Sequence, residues 1–365
     1  MKTCGKLLQR VEPRRFEQRR TLQAVVGQQV LHVRIAGGCV MTSSPRRFPE
    51  PEFLVEPYLS GTRVDSFLSR HLRNYSAWRL SRMVSEGLVK IEDQPAECSN
   101  RVFRGQRVRI RLIEPPDQLL AAEPISFRIV YEDPWIVVVD KPAGIIAHPV
   151  GDFLDGTLAN GLQYHLDRQT ELPGLLRPGI VHRLDRMTSG LLVTVKEHLS
   201  HRLLSLDFQQ GKLSKSYLAL VEGQLNFETR LIELPIGRRP GGNSVLMSAA
   251  GDALQRKPAR TRVTLVEQMA DRALVECSLF TGRNHQIRVH LAHLGHPVLG
   301  DEYYGPKGTI RKSPRFEGEE PGETRHALHA AKLGFLHPVL REWMEFRCAP
   351  PEDFYSCPIS VTDPA

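Results

Sequence analysis

Apolar positions change period along the chain. Val64, Phe67, Leu68 and Leu72 recur at helical spacing. Leu80, Met83 and Val84 mark one face of a second helix, with Ser76 placed as its N-cap and Gly87 as its stop. Leu88 to Ile91 reads as a strand and Glu92 to Pro95 as a turn. Arg107 to Leu112 alternates strictly, Val108, Ile110 and Leu112 on one face and three arginines on the other. Residues 53–113 therefore predict a small α/β unit. Residues 114–126, with proline before and after an acidic stretch, predict a linker. From 127 to 348 the predicted strands are Ile136–Val139, Ile180–His182, Leu191–Val195, Tyr217–Val221 and Ala273–Phe280. Thr157–Leu166 and Leu199–Phe208 predict helices. That order is α+β, not a regular βα alternation. Residues 305–324, rich in Gly, Pro, Lys and Glu, read as a surface insertion, and 349–365, with four prolines, as an irregular C-terminal tail.

Residues 1–52 carry no sustained period and predict a basic, disordered tail. Its Arg14-Arg15, Arg19-Arg20 and Arg46-Arg47 pairs also fit a transit peptide, or a chain whose translation starts later, near Met41. The first 50 residues hold ten Lys/Arg against three Asp/Glu, so nearly all of the net charge of +8 sits there. Any nucleic-acid surface on the folded body must be a local patch. With 365 residues, 41% hydrophobic, the chain is long enough for two cores. Apolar runs such as Trp135 to Val139 fall far short of the ~20 residues a membrane span needs. Six scattered cysteines without a CxxC pair read as a reduced, cytoplasmic protein without a zinc knuckle.

No Walker loop, GxGxxG after a strand or GxSxG elbow is present, which weakens nucleotide hydrolysis, dinucleotide redox and hydrolase readings. His290, His293 and His296, with His285 upstream, are spaced by three, but no HExxH frames them and Gly295 and Pro297 end the helix early. No metal is expected there.

Three constellations carry candidate chemistry. His182-Arg183-Leu184-Asp185-Arg186 lies between two apolar strands and suits a single-carboxylate nucleophile, or a salt-bridged turn. Thr281 to His290 follows a strand and opens a helix, so Arg283 and Arg288 are placed to hold an anion, or simply line a capped helix. Lys215 and Tyr217 share one face of a strand, where the ring suits base stacking or half-buried packing.

Gly179 to Asp185 with Thr188-Ser189-Gly190 resembles the signature of the RluA family of pseudouridine synthases. Val139 to Gly144, Lys215 to Ala219, Lys257 to Thr261, Gly282 to His290 and Leu328-His329-Ala330 resemble further family segments, in the same order. The unit at 53–113 resembles an S4 RNA-binding domain through Arg63-Val64-Asp65, Ser76 to Arg82 and Gly87-Leu88-Val89. The resemblance implies a mixed-sheet catalytic domain at 127–348 behind a small S4 domain. It implies an isomerase that needs no cofactor, acting on RNA, ribosomal rather than transfer RNA, as a cytoplasmic monomer. Asp185 would be the essential carboxylate, Arg288 its partner, and Tyr217 the ring packed on the target base. Arg183 would fill the space a flipped base vacates, with His182, Lys215 and Arg283 as further RNA contacts. Arg63, Arg79, Arg82 and Lys90 are the S4 candidates for phosphate. An inactive RNA-binding chaperone is the alternative of a different class. Two positions depart from the family: Asn284 stands where Thr or Ser is usual and is expected to serve as the helix N-cap, and Asp93-Gln94 replaces the usual Asn-Gly turn.

Overall fold

The computed structural model describes residues 49–113, 116–117, 120–151, 153–170, 173–241, 245–311 and 325–357. The predicted basic tail, apart from residues 49–52, and most of the predicted surface insertion lie outside the described residues.

The N-terminal unit contains β1 (Glu52–Leu54), α1 (Val64–His71), α2 (Ala77–Ser85), β2 (Val89–Ile91), β3 (Gln94–Pro95) and β4 (Arg107–Ile110). Its sheet has the order β1-β4-β2-β3. Val64, Phe67 and Leu68 of α1 and Leu80, Met83 and Val84 of α2 pack on Val89, Val108 and Ile110 as a core of its own. The Ser76 hydroxyl accepts the Arg79 N–H at 3.3 Å, so the predicted cap forms. The β2–β3 turn has Glu92 and Asp93 at φ 48° and 66°. The left-handed pair thus sits one residue earlier than Asp93-Gln94, as a two-residue hairpin loop requires.

The second unit begins with β5 (Arg128–Glu132), β6 (Ile136–Lys141), α3 (Leu158–Asp167), β7 (Gly179–Ile180), β8 (Ser189–Val195), α4 (His198–Gln209) and β9 (Ser214–Glu222). It continues with β10 (Thr229–Ile232), β11 (Ile236–Arg238), β12 (Met247–Ser248), β13 (Leu254–Lys257), β14 (Thr261–Gln268), β15 (Arg272–Leu279), α5 (Gln286–His293), β16 (Leu328–Leu336) and β17 (Trp343–Arg347). Ten strands form one sheet, β10-β14-β15-β9-β16-β8-β6-β5, with β17 on β16 and β7 on β8. The β16–β8 pairing is parallel and β8–β6 antiparallel, so the sheet is mixed. In β6, Val137 and Val139 join the core under α3 and α5, while Ile136 and Val138 join the core under α4. A strand buried on both faces reads as a continuous apolar run, and each such side chain contributes ~1.5–3 kcal/mol on burial.

Within the predicted linker, Asp117 and Ala121 bond to the N-terminal and the second unit respectively. Asp117 accepts the Ser76 N–H at 2.7 Å, and the Asn160 amide donates to the Ala121 carbonyl at 2.9 Å. Further contacts cross between the units: Asn74 donates to Gly174 O at 2.7 Å, Arg177 to Arg73 O at 3.2 Å, and Leu175 packs on the N-terminal core. Within the predicted C-terminal tail, residues 349–357 pack against the second unit. Phe354 and Cys357 are buried in the main core, and Asp353 pairs with Arg325 at 2.8 Å.

Candidate active site

Asp185 lies in the loop from β7 to β8, and that loop is braced from both sides. On one side the fully buried Lys141, at the end of β6, donates to the carbonyls of Pro142, Ile145 and Arg186 at 2.8, 2.9 and 3.0 Å. The Gly144 N–H donates to Arg186 O and the Arg186 guanidinium to Gly144 O, each at 2.9 Å. On the other side Thr188 Oγ1 meets His326 Nε2 at 2.8 Å, and Ser189 Oγ accepts from Arg325 at 2.9 Å. Gly190, at φ 112°, lets β8 approach β16, since a Cβ there would stand 2.5 Å from the Ala330 carbonyl oxygen.

Helix α5 brings Arg288 to the carboxylate. Its Nη1 donates to Asp185 Oδ2 at 3.2 Å. Its Nε and Nη2 grip Asp301 at 2.7 and 2.9 Å, and Asp301 also accepts the N–H groups of Tyr303 and Tyr304. The guanidinium is therefore aimed by one aspartate at another. Burial pushes the Asp185 carboxyl up, but His285, Arg288 and His326 outweigh it and hold it well below the usual carboxylate range. Burial lowers His285 to about 4 and His326 to about 3, so their pull on Asp185 acts only where acid charges them, and at neutral pH Arg288 is the standing cation beside the carboxylate. Burial and the Asp185 charge push the Tyr217 phenol up, so it stays protonated. Among the described residues its hydroxyl has no hydrogen-bond partner.

The chain matches the family model described as RNA pseudouridylate synthase over residues 135–293. It is 37% identical over 292 residues to the uncharacterized RNA pseudouridine synthase YlyB of Bacillus subtilis, covering 80% of this chain and 91% of that one. The chain belongs to the RNA pseudouridine synthase family. It is 38% identical over 304 residues to ribosomal large subunit pseudouridine synthase D of Neisseria meningitidis, covering 81% of this chain and 78% of the relative. Among solved structures, human RNA pseudouridylate synthase domain containing 1 aligns with TM-score 0.49 and 27% identity, over 63% of this chain and 86% of that one. The protein is accordingly an isomerase.

The synthase brings Asp185, Arg288 and Tyr217 into one centre, with the other candidates at its rim or away from it. Arg183 is exposed and donates to Asn284 Oδ1. Asn284 is thus not the helix cap: His285 holds that position at φ 53°, and Gln286 closes the turn by accepting the Arg283 N–H at 3.0 Å. Lys215 lies over the Phe208 ring at 5.6 Å, and burial and then Arg283 lower its ammonium pKa. Arg283 donates to Pro258 O at 2.9 Å. The His182 ring stacks on Phe208 and its Nε2 accepts the Val193 N–H at 3.0 Å. Arg63, Arg79, Arg82 and Lys90 stand on the N-terminal unit, three of them near acids: Arg63 with Asp65 at 2.7 Å, Arg79 with Asp117 at 3.8 Å and Arg82 with Glu86 at 3.5 Å. Of the histidines spaced by three, His290 meets Thr261 Oγ1 and Leu234 O at 2.9 Å and His296 Nδ1 meets Glu222 O at 3.1 Å.

Asp301, Lys141 and Tyr304 complete the centre without having been assigned roles from sequence. Tyr304 hydrogen-bonds His285 Nδ1 at 2.7 Å and accepts the Met247 N–H at 3.0 Å. For Lys141 a signal existed, a lysine closing an apolar strand. Asp301 lies in a loop with no periodicity to mark it.

Proposed function

We propose that the chain converts uridine to pseudouridine in large-subunit ribosomal RNA, with Asp185 as the catalytic carboxylate. The observation that carries this reading is the Asp185–Arg288 contact at 3.2 Å, in which a buried guanidinium holds a partly exposed carboxylate ionised, with the Asp185 charge felt in turn by Tyr217. The reaction breaks the N1–C1′ bond, joins C5 to C1′ and moves one proton from C5 to the detached ring nitrogen. Atoms and electrons balance without a redox partner or nucleotide. An ionised Asp185 serves either as a nucleophile at C1′ or as the charge that assists loss of uracil. Arg288 keeps it ionised and aimed. Tyr217 offers its ring to the base, with its phenol kept protonated beside the Asp185 charge. The target must leave its stack to reach the cleft, and Arg183, exposed two residues before Asp185, is placed to occupy the vacated space.

The N-terminal unit is read as an S4-like RNA-binding domain whose Arg63, Arg79, Arg82 and Lys90 contact phosphates. The ribosomal assignment rests on the relative from Neisseria meningitidis, whose name specifies the large subunit. A cytoplasmic monomer belongs to the same reading. The test is nucleotide-resolution mapping of pseudouridine after incubating the purified protein with unmodified large-subunit rRNA and, separately, with transfer RNA. Modification of the ribosomal RNA is expected. Modification of transfer RNA alone would move the substrate, and none in either would overturn the reading.

A further inference from the structure

A second group of cations with an aromatic ring at its centre lies where β14 and β15 meet the loop that leads into α5. Phe280 follows β15 directly and is 42% exposed. The Arg260 guanidinium lies 5.0 Å from its ring centroid and that of Arg262 5.3 Å. Both arginines are exposed. Arg262 has no carboxylate partner among the described residues, and Arg260 meets Glu233 at 3.0 Å in an exposed pair of small energetic value.

This group is rigidly tied to the helix that carries Arg288. The Phe280 N–H donates to Arg260 O at 3.2 Å, and the Arg260 N–H donates to Thr281 Oγ1 at 2.9 Å. Gln286, the first residue of α5, donates to the same Arg260 carbonyl at 3.0 Å. All three bonds use the Arg260 backbone and leave its guanidinium to the surface. Arg283 and Lys215 continue the basic rim toward Tyr217, with Lys215 Nζ 3.6 Å from where a Gly282 Cβ would stand. The catalytic reading uses neither Phe280, Arg260 nor Arg262.

An exposed ring flanked by cations offers a face for a base and charges for its phosphate. We propose that Phe280, Arg260 and Arg262 form a docking platform for a substrate-RNA nucleotide that flanks the target uridine. The inference rests on the reading of the chain as an RNA-modifying enzyme. The platform acts on capture and register, while the isomerisation itself stays with Asp185.

The test compares wild type, Phe280→Ala, Phe280→Tyr and Arg262→Ala on one structured ribosomal RNA, measuring affinity against salt, KM and kcat. For Phe280→Ala, KM and Kd should rise about tenfold, the scale of one lost base stack, with kcat at saturating RNA changed far less. Tyrosine, which keeps the ring, should restore binding. Arg262→Ala should lower the slope of log K against log salt by roughly 0.7–0.9, one phosphate contact. An unchanged KM in Phe280→Ala, a tyrosine variant as defective as alanine, or an unchanged salt slope in Arg262→Ala would overturn the platform. Wild-type activity separates the two claims. If wild type forms no pseudouridine, the functional reading fails. If it does and Phe280→Ala binds equally well, only the platform fails. Thermal melting of each variant checks that the fold is intact.

Discussion

Arg288 and Arg79 are each paired with an aspartate, yet the pairs are built differently. Arg288 is 5% exposed and grips a fully buried Asp301, whereas Arg79 and Asp117 are 22% and 26% exposed and 3.8 Å apart. A buried pair pays heavily in desolvation and returns fixed geometry. A long, half-buried pair holds its geometry less firmly. The candidate centre therefore uses buried charge to aim one atom, whereas the N-terminal unit leaves this pair partly in solvent.

Asp301→Asn should produce the largest effect. It leaves Arg288 buried with half its compensation and should cost about 3–5 kcal/mol of unfolding free energy, with kcat falling as the guanidinium loses its aim. Arg79→Ala should cost under about 1 kcal/mol. Equal losses by denaturant titration would erase the distinction. Lys141→Met should come next. Its three carbonyl acceptors use all three ammonium hydrogens, although burial lowers the ammonium pKa to about 7. Removing them strands three buried acceptors at roughly 1–3 kcal/mol each before relaxation, and loosens the Asp185 loop. A variant with wild-type melting and kcat would refute that bracing role.

Acid should separate stability from activity. His285 and His326 have native pKa values of about 4 and about 3, below the unfolded value of ~6.5. Between those limits the unfolded chain binds more protons, so stability falls as pH drops through that window. Asp185 is held low, so its charge survives the same window. Saturated kcat should stay flat from about pH 8 to 5 while the melting temperature declines. A kcat that titrates with an apparent pKa of about 6 would contradict this assignment of charge. The smallest effect on the chemistry belongs to Arg79→Ala with Arg82→Ala. KM on structured RNA should rise and the salt slope fall by roughly 1.4–1.8, with kcat on a short saturating RNA little changed. An unchanged slope would place RNA elsewhere on this unit.

The two regions also differ in how far sequence reveals them. The helices of the N-terminal unit and strand β6 follow from periodicity, because one face or both faces are uniformly apolar. Strand β16 does not: His329 interrupts its apolar pattern yet is buried, bonded to Ser189 Oγ at 2.8 Å and to Cys348 O at 3.3 Å. Strands β10 and β14 are missed for a related reason, since Thr229, Arg230, Arg262 and Glu267 face solvent near one edge of the sheet. Asp185 and Arg288 stand in dense motifs and were legible through them. Asp301, which aims Arg288, was invisible because its role comes from tertiary contact alone. Asn284 shows the opposite case, a residue inside a motif whose side chain accepts from Arg183 instead of capping α5.

The most direct test of the account is Asp185→Asn, assayed for pseudouridine formation and for RNA binding on the same ribosomal RNA. The amide keeps the shape and removes the charge that Arg288 holds in place. The account predicts that isomerisation is lost while Kd stays within a few-fold of wild type. Turnover within about tenfold of wild type, only about 1.4 kcal/mol of barrier, would contradict it and require another residue to carry the chemistry.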